Sequence, residues 1–176
     1  FIDEFKKINP DLSLAKMTDA ALTTYKMVEC IDEAEDFLRR SVGFEKEPGS
    51  LEKLYDNFLD SLRYADNSKE VTYLYKNYAK KAKSGELDIP KKPLGVGVVG
   101  EYYSVMDPFS SHYIERELAK MGIVVVRWMN VTNSFFHYKE KDVLPKIKKY
   151  SKYNMGATSM STIERALRFA QKGYDG

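Results

Sequence analysis

A carboxylate, Glu101, follows directly on the glycine-rich apolar run Leu94-Gly-Val-Gly-Val-Val-Gly100. An acid at the carboxyl end of a buried strand stands where ligands enter open α/β sheets. There it can accept hydrogen bonds from a ligand or orient a neighbouring group, with the Tyr102 phenol beside it. The competing use is local, because loop carboxylates often take the N–H groups of their own turn. Ser110 and Ser111 come next, behind Asp107-Pro108, which reads as an N-cap and first helical residue. A helix N-terminus can hold a phosphate or carboxylate, but Asp107 already brings a negative charge to this one. Gly156-Ala-Thr-Ser-Met-Ser-Thr162 is a second candidate anion site, with the Ser159 and Ser161 hydroxyls and no acid of its own. Its plainer reading is a loop followed by a cap. No Ser or Cys stands at nucleophile spacing from His112, which reads as a surface residue. His137 follows Phe135-Phe136 and reads as packed or exposed, and Cys30 reads as a small core residue. No catalytic residue is assigned.

Gly95-x-Gly97-x-x-Gly100 spells the dinucleotide-binding fingerprint, but in the wrong register. That fingerprint needs its glycines after the strand, opening a helix whose N–H groups face a pyrophosphate. Here they alternate with valines inside the apolar run, and Glu-Tyr-Tyr follows. The next apolar run, Ile123–Val126, leads to Arg127 and Trp128 rather than to a ribose-binding acid.

The elements that must position these groups fall into two parts. Residues 1–88 read as a helical subdomain. Leu22, Tyr25, Met27, Val28, Ile31, Ala34, Phe37 and Leu38 recur at helical steps, and Gly43 can end that helix. Ser50 is a candidate N-cap for a helix carrying Leu51, Leu54, Tyr55, Phe58 and Leu62. A third helix spans about 70–83, with Lys80, Lys81 and Lys83 at its negative end and Gly85 as its stop. Tyr64, Tyr73, Tyr75 and Tyr78 suggest a face packed on a neighbour rather than a base-stacking surface. The run 84–93 reads as a linker.

Residues 89–176 read as an α/β subdomain. A strand over 94–99, a helix over 109–121 burying Tyr113, Ile114, Leu118 and Met121, and a strand over 123–127 make a βαβ unit, right-handed by the general rule. Asn130–Ser134 reads as a loop. A Pro145-limited helix follows over 139–150, its many lysines read as a solvated face, and a last helix spans 159–172. The fold class is α/β: a partial flavodoxin- or Rossmann-like parallel sheet with an N-terminal helical subdomain, truncated at its C-terminus. The chain starts without methionine and stops at Lys172-Gly-Tyr-Asp-Gly176, where another strand is expected, so it reads as an excised domain.

Composition bounds the function. The 176 residues are 43% hydrophobic and 31% charged, enough for a core and a soluble surface. Net charge is +2, so no global field draws nucleic acid. No apolar run reaches the roughly 20 residues that cross a bilayer, and Phe1-Ile-Asp-Glu-Phe5 lacks a signal-peptide pattern. One cysteine excludes a disulfide framework and suits a reducing, cytoplasmic setting. With two histidines besides, this chain alone is expected to hold no metal centre.

Pro93-x-Gly-x-Gly-x-Val-Gly-Glu-Tyr-Tyr-Ser-x-x-x-Pro-Phe109 resembles a P-x-V-G-x-V-G-E-I-Y-x-x-x-x-P-F segment of 2-hydroxyacyl-CoA dehydratase activators and their dehydratase-subunit-like relatives. Leu118-Ala-Lys-Met-Gly-Ile-Val-Val-Val126 is similar to that family's helix end and second strand. Gly49-Ser-Leu-Glu-Lys-Leu-Tyr55 resembles its helical lead-in, and the stretch from Ser161 to Gly-Tyr-Asp-Gly176 resembles the helix and G-F-D-G before its cysteine-bearing strand. The resemblance implies a non-catalytic module of an activase-related protein that drives low-potential electron transfer with ATP, scaffolding a neighbouring iron–sulfur domain. No phosphate-binding loop or cluster-ligand cysteine set occurs here, so ATP and cluster would belong to the full-length protein, and no cofactor to this chain. The implied partners are other domains of the same polypeptide and a dehydratase, with a homodimer if a sheet edge is left open. Two alternatives stay open: a stand-alone nucleotide or acyl-CoA binding domain using the strand ends and the Gly156–Thr162 loop, or a structural domain docking a partner through its helical half.

Overall fold

The computed structural model describes Glu4, Phe5, Lys7 and residues 13–176. The signal-peptide reading at Phe1–Phe5 rests partly on residues outside these. Among the described residues no helix is long and apolar enough to cross a membrane.

Three helices build the first half: α1 (Leu14–Ser41), α2 (Ser50–Leu62) and α3 (Ser68–Ser84). Ser13 caps α1 by accepting from Lys16 N at 3.2 Å, and Arg39 and Arg40 lie at its negative end. The apolar stripes of the three helices converge on a core of Cys30, Ala34, Phe58, Leu62, Val71, Tyr78 and Ala82. Phe58 stacks on Tyr78 at 4.8 Å between ring centroids, while Tyr64 and Tyr73 stay exposed. Burial in this core pushes the Cys30 thiol up to about 11. Ser50 is the first residue of α2 rather than its cap: Gly49 holds the cap position with φ 83°, a backbone that favours glycine, and glycine has no side chain to cap with.

The linker is tied down. Asp88 N donates to Phe44 O at 2.8 Å and Lys46 N to Glu86 O at 3.3 Å, an antiparallel strap against the loop after α1. In that loop Gly43 has φ 91°, and a Cβ there would fall 1.9 Å from the Ala119 carbonyl oxygen. Only glycine permits this approach.

The second half is mixed α/β around a small parallel sheet. β1 (Gly95–Val98) pairs in parallel with β2 (Val124–Arg127), Gly95 opposite Val124 and Val98 opposite Arg127. Two short helices, α4 (Tyr102–Met106) and α5 (Ile114–Lys120), lie between them. The connecting helix starts later than its apolar pattern suggests. His112 and Tyr113 both have left-handed φ, 52° and 57°, and hold the chain in turns until Ile114. Tyr113, Ile114 and Met121 are consequently exposed, and Ala119 is the residue this helix buries.

Beyond β2, residues Asn133–His137 form a π-helical turn where a loop is expected. Asn130 sets it up, its Oδ1 accepting from Asn133 N at 2.7 Å. Helix α6 (Glu140–Ile147) contains Pro145 and packs on α7 (Ala157–Gln171) through Val143, Ile147 and Met160. α7 explains the strand glycines. A Cβ on Gly97 would lie 2.3 Å from the Phe169 ring, and one on Gly95 would lie 3.0 Å from Tyr174. The glycines let these rings rest on the strand backbone. Past α7 the chain returns to β1 on the edge away from β2. Gly97 N donates to Gly176 O at 2.9 Å and Gly176 N to Gly95 O at 3.4 Å, the alternation of a parallel ladder.

Candidate functional site

Arg127, the last residue of β2, is the pivot between the two halves. Its alternation with Val126 turns it toward α1 and α5. Its Nη1 donates to the Val105 carbonyl at 2.8 Å and meets the Glu115 carboxylate at 3.3 Å, and its Nη2 lies 3.2 Å from Glu35 of α1. Glu35 also takes Arg39 at 3.1 Å and the Tyr55 hydroxyl at 3.2 Å. Burial dominates this network. It raises the Glu115 carboxyl above its ordinary value and lowers the Arg127 guanidinium below its own, despite their mutual attraction.

A cleft of about 720 Å³ opens beside this network, bounded by α1, by the residues after β2 and by α7. One wall is acidic: Glu29, Asp32, Glu33 and Asp36 share a face of α1 at helical spacing. The opposite wall is basic: Arg165, Arg168 and Lys172 share a face of α7 and the residue after it. Trp128, Asn130, Thr132 and Asn133 also line it. Asp32 is buried and accepts from Thr132 N at 2.6 Å, which fixes the post-β2 loop to α1. The Arg165 guanidinium lies 3.9 Å over the Trp128 ring, a cation–π contact. Buried Glu164 gathers Arg165 at 3.0 Å, Arg168 at 2.8 Å and Lys146 at 3.7 Å. Among the described residues no ion pair joins the two walls.

The residues singled out from the sequence lie elsewhere and do not form one site. Glu101 caps α4: its carboxylate accepts from Tyr103 N at 3.0 Å, Ser104 N at 3.1 Å and Ser104 Oγ at 3.2 Å. These bonds, the one from Tyr103 N first, hold its carboxyl below the usual range. Tyr102 is half-buried against Phe135, 6.1 Å between ring centroids. Ser110 donates its hydroxyl to Asp107 at 2.6 Å, and that contact, ahead of the Ser110 N–H, lowers the Asp107 carboxyl. Asp107 thereby closes a turn, not the helix its pattern suggests. Ser111 donates to the Pro108 carbonyl at 3.1 Å and borders a second, largely apolar cavity of about 290 Å³. Ser159 is exposed, and Ser161 is buried, donating to Thr158 O at 2.8 Å. Thr162 donates to the Gly100 carbonyl at 2.9 Å, tying α7 to the end of β1. His112 is exposed; His137 borders the charged cleft with Nδ1 3.2 Å from Asn133 Oδ1. The cleft itself escaped the sequence reading. The one available signal was the spacing of like charges along α1 and α7, which marks a solvated helix face equally well. No protein-family profile, curated protein or solved structure matches this chain.

Proposed function

We propose that this chain is a non-catalytic α/β module of a protein related to the 2-hydroxyacyl-CoA dehydratase activators, one that scaffolds a neighbouring iron–sulfur domain. The observation that supports the reading is the Glu101 cap. The segment on which the family resemblance rests forms a strand, a short extended link and a helix start, and the acid at the start of that helix accepts from Tyr103 and Ser104. A carboxylate used this way serves the local structure at the end of β1. The order β2, β1, then Gly176 is the 2-1-3 order with which a flavodoxin-like sheet begins, which favours a flavodoxin-like reading of this half. In this reading ATP and cluster are held by other domains of the same polypeptide, in a cytoplasmic protein that acts on a dehydratase. Cys30, the single cysteine, is 1% exposed inside the helical core and is spent on packing.

Anaerobic incubation with iron and sulfide tests the reading. The chain is expected to leave desalting without cluster absorbance. A cluster retained at one per chain contradicts a purely scaffolding role. A second reading, a nucleotide or acyl-CoA binding domain, draws on the cleft at the carboxyl end of β2, where Arg168 and Lys172 offer positive charge to a phosphate.

A further inference from the structure

We propose that the cleft between α1 and α7 binds a zwitterionic ligand of the amino-acid or short-peptide class, its ammonium on the Asp32–Glu33 wall and its carboxylate on the Arg168–Lys172 wall. This inference goes beyond the module reading and does not depend on it. Its basis is the charge left over on each wall once internal pairs are subtracted. On α1, Glu29 is matched by Lys26 at 2.6 Å and Asp36 by Arg40 at 2.8 Å. Asp32 is bonded to a backbone N–H and Glu33 to the Tyr75 phenol, and neither makes an ion pair of its own; the nearby charges of Arg127 and Lys26 act on them but are already paired with Glu35, Glu115 and Glu29. On α7, Glu164 is one carboxylate shared among Arg165, Arg168 and Lys146, and Lys172 has no carboxylate within ion-pair distance among the described residues. The acidic wall therefore keeps net negative charge and the basic wall net positive charge.

Which ligand suits both walls follows from Coulomb's law in a partly enclosed space. A plain anion gains at Arg168 and Lys172 but faces Asp32 and Glu33. A plain cation meets the reverse. A ligand with an ammonium at one end and a carboxylate at the other is matched at both. The floor between the walls is a fixed platform: the Asn130 and Asn133 amides are held by bonds within the loop, and Trp128 carries the Arg165 guanidinium on its ring, so the two charged walls supply the recognition. At about 720 Å³ the cleft lies within the range of small-molecule sites, on the order of 300–1,000 Å³, and exceeds what one amino acid fills.

Trp128 is the only tryptophan in the chain, so intrinsic fluorescence reports on the cleft directly. The intact chain is titrated with glycine, diglycine, triglycine and tetraglycine, then with the N-acetylated and the C-amidated form of whichever binds best. A saturable change in Trp128 emission is expected, weakened about tenfold or more by blocking either end. Glu33→Gln and Lys172→Gln lie at exposed positions, so both variants are expected to melt like the parent while each weakens binding by a similar factor. Absence of a saturable change with every free peptide overturns the proposal. So does an N-acetylated form that binds as well as the free one, which identifies a plain anion site. Binding indifferent to both substitutions overturns it as well.

Discussion

Glu101 illustrates how one side chain can be drawn to structure or to chemistry by its neighbours. Three donors from Tyr103 and Ser104 converge on its two oxygens and favour the ionised form, which is why its carboxyl is held below the ordinary value of 4.5. A group with a depressed folded-state pKa adds stability above its ordinary pKa and loses that contribution as pH falls through the depressed value. Glu101→Gln is therefore expected to lower the Tm by a few degrees at neutral pH. The gap to the parent should close as the pH is taken from 4.5 downward. Thermal melts of both proteins across pH 3–7 check this, and a pH-independent gap contradicts the capping account. The sequence placed this carboxylate correctly at the strand end, because a glycine-rich apolar run that stops at an acid has few other readings. Whether it served a ligand or its own turn was open, since both uses need the same residue at the same position.

At the scale of elements, Arg127 fastens β2 to α1 and α5 at a cost. Both it and Glu115 are shifted toward their neutral forms, so burial outweighs attraction in this pair. Arg127→Met alone strands the buried Glu115 charge and is expected to cost about 3–5 kcal/mol. The double change Arg127→Met with Glu115→Leu removes both charges and is expected to cost clearly less than the single one. Urea unfolding of the three proteins decides it. A double variant no more stable than Arg127→Met shows that the arginine matters through Glu35 and the Val105 carbonyl instead. The parallel pair β1–β2 was legible because β-branched runs joined by a helical segment leave little choice of pairing. The start of α5 was not, because two successive non-glycine residues with left-handed φ, His112 and Tyr113, are uncommon and no local pattern announces them. The close packing of Phe169 on Gly97 was hidden for a different reason: glycines in a strand announce that something approaches, but not what.

Over the whole molecule, α1 is the common element. It packs on α2 and α3 through the helical core, reaches β2 through Glu35 and Arg127, and holds the post-β2 loop through Asp32. That helices come first and the strands later was visible from the apolar periodicity, but the place where these elements meet was not. Its residues come from α1, β2 and α7, far apart along the chain, and no local pattern predicts that they meet. The same distance conceals the charged cleft. On the proposed module reading, the chain should hold its shape without a cofactor, and its cleft should ignore phosphate-bearing ligands because Asp32 and Glu33 also line it. Isothermal titration calorimetry of the intact chain with an acyl-CoA and with ATP tests this most directly. No saturable heat is expected with either ligand at millimolar concentration. Binding of either one with a micromolar Kd, weakened by Lys172→Gln, would contradict the scaffold account and favour the nucleotide or acyl-CoA reading of the cleft.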